Sequence, residues 1–250
     1  NKIKFPFYYQ EFFDINMEQI DLRKEREYSI KLKEIFKNIN NVKIINIILG
    51  EKDYHISDFI EGIKINKFLE KKENLIYEKE IYRLLYLSYY LMLSANLFHC
   101  DWHYGNFLVN IDSSSKINLY ILDTGLMGNL KYDCFNKLKV LLKTNMLKPE
   151  PINLVKFLCY TNKNENANLK DFIKKSKKKI KILEANKDYK SILLEIIKYS
   201  SKFDLKYPIL ILYMFQSIIF LNNINESIQD DILVYSKKFG FYNEIIKYIS

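Results

Sequence analysis

Glycine and proline are scarce in this chain, with 6 and 4 among 250 residues. That scarcity excludes collagen-like and low-complexity classes. There are only 3 cysteines, Cys100, Cys134 and Cys159, an odd number with no CxxC pair. This argues against a disulfide framework or a zinc ribbon and for a reducing, intracellular setting: cytoplasmic, organellar or viral-encoded rather than secreted. No apolar run reaches the ~20 residues of a membrane span. The nearest runs, Leu84–Phe98 and Ile209–Leu221, read as buried helices. A signal-peptide pattern is missing too, and the chain begins at Asn1 rather than Met, which reads as a piece of a longer protein.

What is present is apolar bulk. Hydrophobic residues make up 48% and aromatics 15% of the chain. That excludes disorder and suffices for one large core or two small ones. The formal net charge is +9 and the pI about 9.1. A basic balance admits nucleic acid, an anionic membrane surface or phosphate-bearing ligands. Much of it is lysine in a chain rich in Lys, Asn, Ile and Tyr, a usage that an AT-rich genome also produces. The net charge therefore carries little functional weight, and no nucleic-acid partner is expected. The run Lys174 to Lys181 reads first as a solvated helix face, with an anionic membrane surface or an acidic partner as the alternative.

Along the chain, Asp21–Lys37 has helical spacing in Ile30, Leu32, Ile35 and Phe36. The β-branched run Val42–Ile48, the turn residues 49–53 and Tyr54–Ile60 predict a hairpin at a sheet edge. Tyr77–Phe98 reads as a long helix buried on more than one face. A polar stretch then interrupts the apolar texture, FHCDWHYGNFLVN over residues 98–110. A turn rich in Asp and Ser follows at 111–116, then a strand at 117–122 that runs straight into Asp123-Thr124-Gly125. From Tyr132 onward helices are predicted at 132–146, 151–160, 168–184, 190–201, 207–223, 226–237 and 241–249. Pro149, Pro151 and Pro208 stand where helices should start.

His99, Asp101, His103, Asn106 and Asp123 carry the chemistry. Asn106 lies five residues after Asp101, and Asp123 ends the next strand just before Gly125. A hairpin of two short strands brings Asn106 and Asp123 to the same end. An amide oxygen and a carboxylate facing one point are hard ligands of the kind Mg²⁺ takes together with substrate phosphates. Asp101 then lies where it can orient an attacking hydroxyl or accept its proton. A zinc cluster of His99, Asp101 and His103 is the weaker reading, because alternate residues in a tight turn fit one tetrahedral ion poorly. Alone, any of these Asp residues would read as a cap or turn residue.

With those residues in place, FHCDWHYGNFLVN and LYILDTGLMG together resemble the catalytic and metal loops of the UbiB/AarF-domain atypical kinases. The pattern of that family runs H-x-D-x-H-x-G-N, a strand, then D-F-G. Gln19–Glu25 is similar to its acidic helix motif E-x-D-x-x-x-E, and Tyr54–Gly62 to its hinge V-L-V-M-E-Y-I-D-G. The likeness runs in order through about residues 17–128. It implies an α+β, protein-kinase-like fold, mostly the helical C-terminal lobe (63–250) with a reduced N-terminal lobe (1–62). It also implies ATP and Mg²⁺ as cofactors and a link to isoprenoid-lipid or coenzyme Q metabolism, with a lipid as one expected substrate class. Residue by residue, Asp101 would be the catalytic-loop Asp, Asn106 and Asp123 the metal ligands, and His99 the structural His of the loop. Glu25 would pair with the ATP-binding lysine, Asp21 would belong to the acidic motif, and the backbone of Asp58, Phe59 and Ile60 would meet adenine. Three departures stand out. Gln19 replaces a Glu, Thr124 replaces the Phe of DFG, and the phosphate-covering loop, strand lysine and K-x-G-Q segment have no match. Lys4 lies too close to Glu25 in sequence to be that lysine. Two alternatives remain: a pseudokinase that senses nucleotide or binds partners, and a small-molecule phosphotransferase of the aminoglycoside/choline type.

Overall fold

The structure, a computed structural model, describes residues 7–147, 151–184 and 189–226. Among them the chain separates into two compact units, one of residues 7–14 with 130–215, the other of residues 15–129 with 216–226. Residues on both sides of position 62 share the second unit, and so do all the site residues named above.

In that second unit the sequence order is helix, small strands, buried helix, strands. The helix α1 (Tyr9–Glu18) runs into it and buries none of its residues. Next comes α2 (Leu22–Phe36), where Asp21 caps the N-terminus by accepting from Arg23 N at 3.2 Å. Its inward stripe is Glu25, Ser29, Leu32 and Phe36, a helical spacing with one carboxylate in it.

The run expected as one strand, Val42–Ile48, divides between two sheets. Strand β1 (Val42–Ile44) pairs in parallel with a later strand, whereas β2 (Ile47–Gly50) pairs antiparallel with β3 (His55–Ser57). The break falls at Ile45–Asn46. There Ile45 N donates to Ile121 O, Ser29 Oγ donates to Ile45 O, and Asn46 O accepts from Asp58 N. Backbone groups committed to three different partners cannot continue one ladder. The expected hairpin therefore exists, but only over β2 and β3.

A short strand β4 (Ile63–Lys64) leads into α3 (Ile65–Leu69) and a 3-10 turn at Lys72–Tyr77. Helix α4 (Glu78–Ser94) buries twelve residues, Ile81, Tyr82 and all of Leu84–Leu93, and is the central pillar of the unit. It stops four residues before the expected end at Phe98. Asn96 takes the left-handed conformation at φ 53°, and Leu97 N returns to Met92 O at 3.0 Å, a glycine-like helix stop supplied by Asn. Strand β5 (Phe98–His99) follows, then a 3-10 turn at Tyr104–Asn106, β6 (Phe107–Ile111), β7 (Ile117–Ile121) and β8 (Met127–Gly128). Their tight connection is built by Asp112, whose Oδ1 accepts from Ser114 N, Ser114 Oγ and Lys116 N. The main sheet is ordered β1-β7-β6-β4, and β5 pairs with β8.

The first unit is helical, as its sequence predicts: α5 (Tyr132–Leu147), α6 (Pro151–Thr161), α7 (Leu169–Glu184), α8 (Tyr189–Ser200) and α9 (Ile209–Glu226), the last running on into the second unit. The helices expected at 226–237 and 241–249 lie outside the described residues, apart from Glu226. Along α7, Phe172, Ser176 and Ile180 face inward. Lys170, Lys174, Lys177, Lys178 and Lys181 line one exposed face, whereas Lys175 and Lys179 pair with Asp171 and Glu195. Among the described residues no helix is long and apolar enough to cross a membrane, and the three cysteines are unpaired.

Candidate functional site

The hairpin of β6 and β7 sets the site. Phe107 pairs with Ile121, and Leu122 N extends the ladder to Asn106 O at 3.0 Å. Asn106 and Asp123 consequently emerge at the same end, as their spacing predicts. The buried Asn106 spends its Nδ2 on Asp101 O, at 2.9 Å. Its Oδ1 is the atom left to face a ligand. Asp123 holds its own turn closed, with Oδ1 accepting from Gly125 N at 2.8 Å. That leaves Oδ2 outside this turn bond.

His99 joins the two loops. Its Nδ1 accepts from Asp101 N at 3.1 Å, so the ring proton sits on Nε2, which donates to Asp123 O at 2.7 Å. The residue is 0% exposed, and burial pushes its pKa below the ordinary histidine value. Both nitrogens are spent on backbone, so His99 is a neutral strut. A zinc cluster of His99, Asp101 and His103 therefore does not form, and among the described residues no group of three or more His, Cys, Asp or Glu is assembled around a metal position. His103 is a loop pin. Its Nδ1 accepts from Gly105 N at 2.9 Å, and its Nε2 stands 3.2 Å from Asp101 Oδ2. Trp102 turns inward against Phe107, His99 and Tyr89 of α4, with ring centroids 4.5, 5.3 and 5.4 Å away.

Gly105 is required by this pin. A Cβ there would lie 2.5 Å from His103 Cε1 and 2.7 Å from Nδ1. Because the His103 ring is at the surface, Gly105→Ala should push it aside rather than unfold the loop. Stability should change by no more than about 1 kcal/mol, the worth of one exposed hydrogen bond. The bond from Gly105 N to His103 Nδ1 should be lost, and NMR of the ring protons reads the displaced ring directly.

Glu25 reaches the same place from α2. Its Oε1 accepts from Thr124 N at 3.4 Å, and Thr124 Oγ1 donates to Glu25 O at 2.8 Å. His55 Nδ1 stands 3.1 Å from Glu25 Oε2, close but not aligned as a hydrogen bond. Burial raises the Glu25 carboxyl above the usual range, and the Asp123 charge raises it further, with His55 opposing. Among the described residues His55 is the only basic group within 4 Å of Glu25, and Lys4 lies outside them. Asp21 is elsewhere employed. It caps α2 and grips the Arg23 guanidinium at 2.6 and 2.8 Å, which holds its carboxyl down to about 2.

The hinge residues connect β3 to β4. Asp58 N donates to Asn46 O, and Asn46 Nδ2 donates to Asp58 Oδ2, each at 3.0 Å. Phe59 is 90% exposed. The carbonyl of Asp58 and the backbone of Phe59 and Ile60 have no partner among the described residues. The structure thus brings Asp101, Asn106, Asp123 and Glu25 together, and runs the 58–60 backbone from the β2–β3 pair to the sheet that carries Asn106. His55, Lys64 and Thr124 join them without having been expected. Their partners are distant in sequence, and only the helical position of Glu25 and the DTG turn hinted at the Thr124 contact.

The donor set fits a hard divalent cation. Asn106 Oδ1 and Asp123 Oδ2 are both left over from internal bonding, and a cation there would offset the crowding of Asp123 and Glu25.

Comparison with known proteins places the chain in a family. Residues 1–150 match the ABC1 atypical kinase-like domain. Proteins named "Probable protein kinase UbiB" from Aliivibrio salmonicida (strain LFI1238) and Aliivibrio fischeri (strain MJ11) are each 26% identical over 117 residues. The match spans 46% of this chain and 22% of either relative. A solved structure, the complex of Rv3197 with erythromycin from Mycobacterium tuberculosis, shares the fold with TM-score 0.51 at 13% identity. It covers 90% of this chain and 56% of that one. Fold and sequence match converge: the chain belongs to the ABC1 atypical kinase-like domain family.

Proposed function

We propose that this chain carries the ATP- and Mg²⁺-binding site of a phosphotransferase or ATPase. The observation that supports this reading is the convergence of Asn106 and Asp123 at one end of the β6–β7 hairpin, with Asp101 tied to both through His99 and Asn106. Asn106 Oδ1 and Asp123 Oδ2 would hold Mg²⁺, which when bound neutralises phosphate charge. Asp101, whose carboxylate faces His103 Nε2, would orient an acceptor hydroxyl and take its proton. Glu25 would support the Asp123 loop through Thr124, and the backbone at Asp58, Phe59 and Ile60 would meet the adenine edge. A link to isoprenoid-lipid or coenzyme Q metabolism rests on family resemblance alone.

Titration calorimetry with ATP, with and without Mg²⁺, tests the reading. Heat that requires Mg²⁺ is expected; its absence would overturn nucleotide binding by this chain. A pseudokinase is the second reading, favoured by one observation: among the described residues the basic group facing Glu25 is the histidine His55. It predicts the same binding with no turnover of ATP to ADP in a coupled assay.

The five exposed lysines along one face of α7 support an anionic lipid surface as partner. Flotation with phosphatidylglycerol vesicles should carry the protein, while neutral phosphatidylcholine vesicles should not. Paired Lys174→Glu and Lys178→Glu changes should release it; equal flotation of both proteins would exclude this face.

A further inference from the structure

Lys64 has no role in the site as drawn so far. Its backbone is fixed, because β4 pairs antiparallel with β6 and sets Lys64 opposite Leu108. From there its side chain crosses to the catalytic loop, where Nζ donates to Gly105 O. That carbonyl belongs to the peptide unit whose nitrogen is Asn106 N. The ammonium is thus bound to the peptide that carries one of the two metal-ligand candidates.

Two features make this more than a loop tether. An ammonium has three donors, and the contact with Gly105 uses one. Among the described residues no carboxylate lies within 4 Å of it, so its charge has no counter-ion. A lysine that served only to satisfy one carbonyl would place a full charge where a neutral donor would do. Its place along the chain is also informative. Lys64 stands four residues after Ile60, the last of the backbone proposed to meet adenine, and beside Asn106, proposed to hold the metal. On the proposed site it links the base end, which Ile60 would form, to the metal end at Asn106, where the first phosphate of a nucleotide would belong.

We propose that Lys64 is a phosphate-binding residue of this site and gives a nucleotide's sugar-proximal phosphate its cationic contact. This rests on the nucleotide-site reading above. It makes phosphate recognition depend on a residue of the β4 edge, whether or not another lysine contributes.

The test compares adenosine, AMP and Mg²⁺–ATP binding to the unaltered chain, Lys64→Ala and Lys64→Arg by titration calorimetry. Loss of a charge-assisted contact should weaken AMP and ATP about tenfold in Lys64→Ala while leaving adenosine unchanged. Lys64→Arg, which keeps the charge, should stay within about threefold of the unaltered chain. Equal weakening of adenosine and AMP would show that Lys64 only positions the loop, and unchanged AMP and ATP affinity would show that it touches no phosphate. Either result overturns the inference while leaving the nucleotide site standing. If the unaltered chain binds none of the three ligands, the nucleotide reading itself fails and takes the role of Lys64 with it.

Discussion

Asp123→Asn should abolish Mg²⁺-dependent ATP binding without weakening the fold. The two carboxylate oxygens of Asp123 have separate duties. Oδ1 accepts from Gly125 N at 2.8 Å, and an Asn side-chain oxygen can keep that bond. The other position changes from an anionic acceptor to an NH₂ donor, which repels a cation. Affinity for Mg²⁺–ATP should fall by about two orders of magnitude or more, about 2.8 kcal/mol at 1.4 kcal/mol per decade. The metal-free protein should gain stability, because Asp123 is one of the groups that hold the Glu25 carboxyl above its usual range. A raised carboxyl binds its proton more tightly in the folded state, so its contribution is complete at low pH and lost as pH rises through the folded value. Removing the Asp123 charge brings Glu25 back toward its ordinary value and flattens that decline. Calorimetry and thermal melts from pH 5 to 8 read both effects. Retained Mg²⁺-dependent binding in the variant would remove Asp123 from the metal site.

The parts of this site that were legible in the sequence are those whose geometry is local. Asp101, Asn106 and Asp123 are set by one turn and one two-stranded hairpin, so spacing alone brings them together. The Asp112 turn belongs to the same kind, a side chain acting within a few positions. The split of Val42–Ile48 was not legible, because it depends on Ile121 O, Ser29 Oγ and Asp58, all remote from the break. The His55–Glu25 contact and the Lys64–Gly105 bond were hidden for the same reason. Helix α1 was not among the elements read from the sequence. Tyr9, Phe13 and Met17 have helical spacing, yet all three are exposed, so periodicity there does not mark a core face.

His99→Ala should be the most destabilising single change at the site, at about 3 kcal/mol or more. The imidazole is fully buried, and its removal leaves a cavity beside Trp102. It also strands two backbone groups, Asp101 N and Asp123 O, where water has little access. Those groups belong to the Asp proposed to accept a proton and the Asp proposed to bind metal, so binding should suffer with stability. The strut also carries a pH signature. Burial lowers the folded pKa below the ordinary 6.5, so below that value the unfolded chain takes up a proton that the folded chain resists. Stability is therefore fully retained above pH 6.5 and drops as pH falls from there toward the folded value. His99→Gln separates the two effects. Its amide can still donate to Asp123 O, but it cannot titrate, so denaturant midpoints should be lower than those of the unaltered protein at pH 7.5 and converge with them as pH falls toward 5. If the gap instead stays constant across that range, His99 is not the neutral link between the two loops, and the coupling of Asp101 to Asp123 must run through Asn106 alone.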